Sequence, residues 1–207
     1  GGSALTVARI TASTRTAELE ALLSPGPALE KLVSEMAALL AEQPRPGLCL
    51  DLDAHPDLDP AVLHQALARL ATATTRPGRL PVALCVIAGP EARLWHDAGL
   101  VGRLDLAVVK GFREAPSPLV APAPPDWFQP ALAEVRALIP GPKLVVALGT
   151  FGQRWPSGQS RGQRISHGEL LALAAAAGTA PVFDPAMGAS RLHIQDDARR
   201  PSDLWLL

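Results

Sequence analysis

Apolar positions along the chain change period several times, and each change marks an element. LTVARIT (5–11) is strand-like. ALEKLVSEMAALLAEQ (28–43) sets Leu29, Leu32, Val33, Met36, Leu39 and Leu40 at the spacing of one helical face. GLCLDLD (47–53) returns to a strand pattern. DPAVLHQALARLATA then opens a helix with Asp59 as cap and Pro60 at its first position. LPVALCVIAG (80–89) is continuously apolar, as a strand buried on both faces would be. The alternation continues with a short helix over PEARLWHDAG (90–99) and a strand over LDLAVVKGF (104–112). A helix over WFQPALAEVRALI (127–139), with Pro130 near its first turn, leads to a fifth strand, KLVVALGTFG (143–152).

Five strands separated by helices predict an α/β chain with a parallel sheet, either doubly wound or a barrel. The tail has another rhythm. ISHGELLALAAAAG carries Ser166 and Glu169 as a capping box and Gly178 as a stop. Short antiparallel strands are expected beyond it, turning at Asp184–Pro185 and Asp196–Asp197. PSPLVAPAPP (116–125) reads as an extended loop and QRWPSGQSRGQR (153–164) as a polar, basic, mobile one.

The 207 residues suffice for one core, so a single domain over 1–207 is expected, with 165–207 as a helix and small β appendage. The chain is 48% hydrophobic but only 4% aromatic, so that core is built from small aliphatics. A formal charge of −1 argues against nucleic acid or a polybasic membrane contact, and no run reaches membrane-span length. GGSAL at the start has neither the charged nor the apolar region of a signal peptide, which leaves the compartment open. Cys49 and Cys85 sit in apolar runs and are expected as inert core thiols. Without CxxC or a histidine pair at ligand spacing, no metal is expected. No strand is followed by a glycine-rich phosphate loop, so no nucleotide cofactor is expected either.

Polar residues gather at the C-terminal strand ends, where barrel enzymes keep their sites: Asp51, Asp53 and His55, then Lys110, Phe112 and Arg113, then Gln153, Arg154 and Trp155. Arg113 and Arg154, taken singly, mark where strands meet solvent. Asp51 and Asp53 are different. Residues two apart share a strand face, so both carboxylates lie opposite Leu50 and Leu52, on the inward side. Like charges that close need a neutralising cation, and His55 and Lys110 are the leading candidates.

In this order the motifs resemble glycoside hydrolase family 18, the chitinase-like barrels, and most closely the bacterial branch often fused to polysaccharide deacetylase or glycosyltransferase modules. LCLDLDAH (48–55) lies over that family's fourth-strand D-x-x-D-x-D-x-E, with Asp51 and Asp53 at the second and third acids. LDLAVVKGF is similar to the sixth strand, which normally ends M-x-Y-D. KLVVALGTFGQRW (143–155) is similar to the seventh, and ISHGELLALAAAAGTAPVFDP (165–185) to the segment after it. The resemblance implies a partial (β/α) TIM-type barrel, from about strand 3 to strand 7, with a small antiparallel appendage. It also implies a polysaccharide or oligosaccharide ligand and an extracytoplasmic setting. Five strands leave LTVARIT and KLVVALGT as apolar edges, to be covered by the tail strands after residue 180, the weakest candidate, by a second copy of the chain, or by a neighbouring domain that completes the barrel.

Departures from the family decide the expected activity. The motif's final Glu protonates the glycosidic oxygen, while the middle acids orient the substrate's N-acetyl group, whose oxygen is the nucleophile. His55 stands at the Glu position, Phe112 at that of the sixth-strand Tyr, and Leu48 at the first Asp. Lys110 and Arg113 replace the neighbouring Met and Asp. Three readings follow. The first is a silent chitinase-like domain that binds a glycan through Asp51, Asp53, His55, Lys110 and Trp155 or assists a partner enzyme. The second is an active glycosidase with a rewired acid, His55, Asp57 or Asp59. The third is an assembly module in which the two aspartates pair with Lys110, Arg113 or Arg154. Core packing and sugar stacking are equally open to Trp155, whereas Trp95, Trp127 and Trp205 read as core or helix-face residues.

Overall fold

A computed structural model describes residues 7–11, 14–42, 47–74, 83–113, 119–156, 159, 162–195 and 201–207. The chain divides into two compact units, residues 1–110 with 134–146, and 111–133 with 147–207.

The first unit is built on a sheet of β1 (Val7–Thr11), β2 (Gly47–Asp51), β3 (Ala83–Ala88), β4 (Leu106–Lys110) and β5 (Leu144–Ala147), in that spatial order. Neighbours from β1 to β4 are parallel, in the register Arg9↔Cys49↔Cys85↔Leu106. A doubly wound sheet would reverse its order partway. This one does not, so it follows the barrel arrangement, and the partial-barrel expectation holds.

Alternation along the strands assigns the two faces. Leu48, Leu50, Leu84, Val86, Ala107 and Val109 join the core built with α2 (Pro27–Glu42), α3 (Pro60–Thr74) and α4 (Ala98–Arg103). Leu63, Leu67 and Leu70 of α3 are at most 1% exposed in that core, which hydrophobic burial favours by roughly 2 kcal/mol per side chain. Cys49, Asp51, Ile87, Val108 and Lys110 belong to the opposite face by the same parity.

Some boundaries hold and others move from their expected places. The Asp59 carboxylate accepts from Ala61 N at 2.9 Å, so α3 starts where Pro60 was expected to place it. The helix expected over 90–99 is a 3-10 turn, Arg93–His96, followed by α4. The cause is Asp97, whose side chain accepts from Leu100 N at 2.8 Å and restarts the helix there. The hydrophobic pattern missed α1 (Thr16–Leu23) because this two-turn helix buries only Leu19 and Leu23. A second correction concerns the cysteines. They are buried as expected but are joined in a disulfide, because β2 and β3 set them directly opposite each other with Cα atoms 4.5 Å apart.

The second unit carries β6 (Phe151–Pro156), β7 (Gln163–Ser166), α6 (His167–Ala176), β8 (Val182–Asp184), β9 (Ala189–Gln195) and β10 (Pro201–Leu206). Its sheet is antiparallel, in the order β7-β6-β10-β9-β8. The Ser166–Glu169 capping box opens α6, and Gly178 after it has φ +63°. Leu170 and Ala174 of α6 pack with Leu192, Ile194 and Leu204. Trp155, Trp205, Ala121 and Ala189 form a separate cluster.

This unit corrects two expectations. The fifth strand ends at Ala147, and Phe151–Pro156 belongs to the second sheet. The supposed loop 153–164 therefore contributes residues to β6 and β7, while 157–158 and 160–161 lie outside the described residues. Register explains the difference: Phe151 to Arg154 pair antiparallel with Ser166 to Gln163, and Leu206 to Ser202 pair along β6's other side. The tail strands form as expected. Of their turns, 184–185 is described and 196–197 lies outside the described residues. α5 (Pro125–Leu138) includes Pro130.

Candidate functional site

The C-terminal end of β2 places Asp51 as the last strand residue and carries Asp53 and His55 into the turn that follows. Two backbone bonds shape that turn, His55 N to Leu52 O at 2.8 Å and Leu58 N to His55 O at 3.2 Å. Asp51 is 4% exposed. Its carboxylate accepts Asp53 N at 3.1 Å and Arg9 Nε at 2.9 Å, and also pairs with the Arg9 terminal nitrogen. Arg9 and Asp51 stand on adjacent strands offset by two residues, so their side chains share a face.

Lys110, at the end of β4, brings the second cation. Its Nζ is 2.6 Å from Asp53 Oδ2 and 3.9 Å from Asp51 Oδ1. The structure thus unites Asp51, Asp53 and Lys110, and adds Arg9, which the pattern reading had placed in an ordinary strand. An additional carboxylate approaches over Gly89, just past β3. A Cβ on Gly89 would meet Glu91 Oε2 at 3.4 Å and Asp53 Oδ1 at 3.6 Å. Trp95, 1% exposed, donates its indole N–H to Gly89 O at 2.7 Å and so holds that turn.

His55 is 1% exposed and takes a different partner. Its Nδ1 lies 3.1 Å from Thr16 Oγ1, and Nε2 is buried without a hydrogen-bond partner. Among the described residues it makes no ion pair with either aspartate, so Lys110 and Arg9 do the neutralising that was also expected of His55. Together these groups can hold a polar ligand: Asp53 is 36% exposed beside Lys110, a donor and an acceptor side by side. No cluster of His, Cys, Asp and Glu suited to a metal ion occurs among the described residues.

Phe112 and Trp155 belong to the second unit. Phe112 meets Phe151 edge-on with ring centroids 5.1 Å apart, and the Arg164 guanidinium lies over both rings. Trp155 is 3% exposed, with Gly162 against its ring. Of its two readings, packing fits this burial. A stacking platform needs an open ring face. Arg113 lies 4.7 Å over the Trp127 ring.

No family model matches the sequence, and no curated protein matches it. Solved structures do match. The spore cortex-lytic enzyme SleL of Bacillus megaterium aligns with TM-score 0.74 and 17% identity over 97% of this chain and 49% of its own. A chitinase from Chromobacterium violaceum gives 0.75 and 17%, over 97% of this chain and 66% of its own. The chitinase-like agglutinin RobpsCRA from Robinia pseudoacacia gives 0.69 and 14%, over 95% and 67%. The chain spans about half the length of SleL. These alignments cover nearly the whole of this chain, which therefore carries the chitinase-like glycoside hydrolase family 18 fold over the part that five strands and the appendage supply.

Proposed function

We propose that the chain is a catalytically silent chitinase-like domain that binds a glycan or assists a polysaccharide-processing partner. The observation that carries this reading is the lysine on the acids: Lys110 Nζ sits 2.6 Å from Asp53 and 3.9 Å from Asp51. In the family scheme the middle acids orient the substrate's reacting group, and here both are engaged by cations. The proton donor's position is taken by His55, whose Nδ1 is on Thr16, and the Tyr position by Phe112. The partly exposed Asp53–Lys110 pair keeps hydrogen-bonding capacity for hydroxyl groups. One protein of this fold, the Robinia agglutinin, is named for agglutination.

The test pairs calorimetric titration with N-acetylglucosamine oligomers against a reducing-end assay on chitin oligomers and poly-N-acetylglucosamine. Saturable binding with no turnover is the expected result. Turnover above blank that disappears in Asp53→Asn or His55→Ala would replace this reading with the rewired hydrolase.

The near-complete burial of Asp51 favours a second reading, in which the cluster is a structural ion-pair module. Under it, Asp53→Asn lowers the melting temperature and no glycan binds.

A further inference from the structure

We infer that a thiol–disulfide oxidant completes this protein, joining Cys49 to Cys85 before the sheet closes over them, and that the bond then clasps the strand bearing the acidic site to its neighbour. The inference holds whatever the domain binds. It rests on where the two sulfurs lie, what the bond encloses, and what can reach it.

Parallel register sets Cys49 opposite Cys85, with Cα atoms 4.5 Å apart, inside the range a disulfide spans without backbone movement. The chain has two cysteines, so one intramolecular pairing is available. The bond closes a segment of 36-residue separation that contains Asp51, Asp53, His55 and the whole of α3. Asp51 follows Cys49 by two residues on the same strand face. A register slip between β2 and β3, which would carry that carboxylate away from its cations, is therefore covalently forbidden.

Access decides the order of events. Cys49 is 2% exposed and Cys85 1%, so neither sulfur in the folded chain is open to the in-line approach that exchange requires. Oxidation by exchange therefore takes place while the two sulfurs are still uncovered. Two thiols give up two protons and an electron pair to form the S–S bond, and the oxidant's own disulfide accepts both and leaves as a dithiol. The partner is thus a disulfide-bearing protein or small molecule, of the kind that oxidising compartments maintain and reducing ones do not.

The experiment refolds the full chain from denaturant in two buffers, one with a glutathione redox pair and one with dithiothreitol. Each product is denatured without further reductant, alkylated with iodoacetamide and weighed. The glutathione-refolded chain should take up no alkyl group, gain two only after reduction, and keep its bond when dithiothreitol is added to the folded protein. Its melting temperature should exceed that of the dithiothreitol-refolded chain by on the order of 10 °C, from the constraint the crosslink puts on the unfolded chain. Two alkyl groups on the glutathione-refolded chain would overturn the inference, and so would equal melting of the two products. Cys49→Ala with Cys85→Ala should melt like the reduced chain in either buffer. If that variant does not fold, the two wild-type products decide the matter alone.

Discussion

Lys110 reaches across a strand to meet Asp53. The lysine ends β4 and the aspartate lies just past β2, with β3 between them, yet Nζ and Oδ2 are 2.6 Å apart. Gly89 at the end of β3 has no side chain to intervene, and the carboxylates of Asp53 and Glu91 approach over it. Arg9 of β1, Asp51 and Asp53 at the end of β2, and Lys110 of β4 are therefore coupled through one ion-paired cluster.

Replacing the lysine tests that coupling. Lys110→Met keeps the aliphatic stem but leaves Asp53 without its cation and Asp51 with Arg9 alone. Removing one partner of a buried pair leaves an uncompensated charge. The partial exposure of Asp53 moderates the cost to about 2–4 kcal/mol, measured by urea unfolding near neutral pH. Arg9→Met should cost less, about 1 kcal/mol, because the arginine side chain is 58% exposed and screened by solvent.

Much of the fold was legible because strand alternation and helical spacing are local signals. Asp51 and Lys110 were found because polar residues at the ends of apolar strands stand out. Arg9 was not, since a single charge in LTVARIT gives no hint of the strand that will lie beside it; only the register Thr11↔Asp51 reveals the partner. β6 escaped for another reason. Its buried residues, Gly152, Gln153 and Trp155, have no hydrophobic period, and what makes it a strand is pairing with β7 and β10. Glu91 stayed invisible because its place over Gly89 depends on the turn after β3.

The packing role of Trp155 predicts an intolerant glycine. A Cβ at Gly162 would lie 2.6 Å from the Trp155 ring and 2.7 Å from Gln153 Nε2. Gly162→Ala should therefore destabilise by about 1–3 kcal/mol through overpacking, read from thermal or urea melts. An unchanged melt would reopen the stacking reading, because it would mean that the ring can move aside.

Acid sensitivity should appear in the second unit. Burial pushes the Asp203 carboxyl up, but hydrogen bonds from His193 and Arg191, with their charges, outweigh it and hold the group below the usual carboxylate range. A depressed folded-state value contributes stability that is present above the unfolded carboxyl value, near pH 4, and is lost as pH falls through the folded value. At pH 6, Asp203→Asn should be less stable than the parent chain by about 1 kcal/mol. Near pH 2 the two urea curves should converge. A gap that persists there would assign the effect to side-chain shape instead of charge.

Assembly follows from the ends of the first sheet. Strand pairing among the described residues leaves β1 and β5 as its edges, and the tail strands, one imagined cover, form a sheet of their own. β5 reads LVVA, with Val145 41% exposed and Leu148 just beyond it 71% exposed. An apolar edge rich in β-branched residues pairs or aggregates unless something covers it. A second copy of the chain and a neighbouring domain are the remaining covers, and light scattering on the chain alone separates them. A dimer or larger assembly, or a poorly soluble chain, is the expected outcome, with Val145→Lys shifting the mass toward that of one chain while leaving the melting temperature within a few degrees. A monodisperse monomer at high concentration, unchanged by that substitution, would count against edge pairing and leave the cover to be sought within the chain itself.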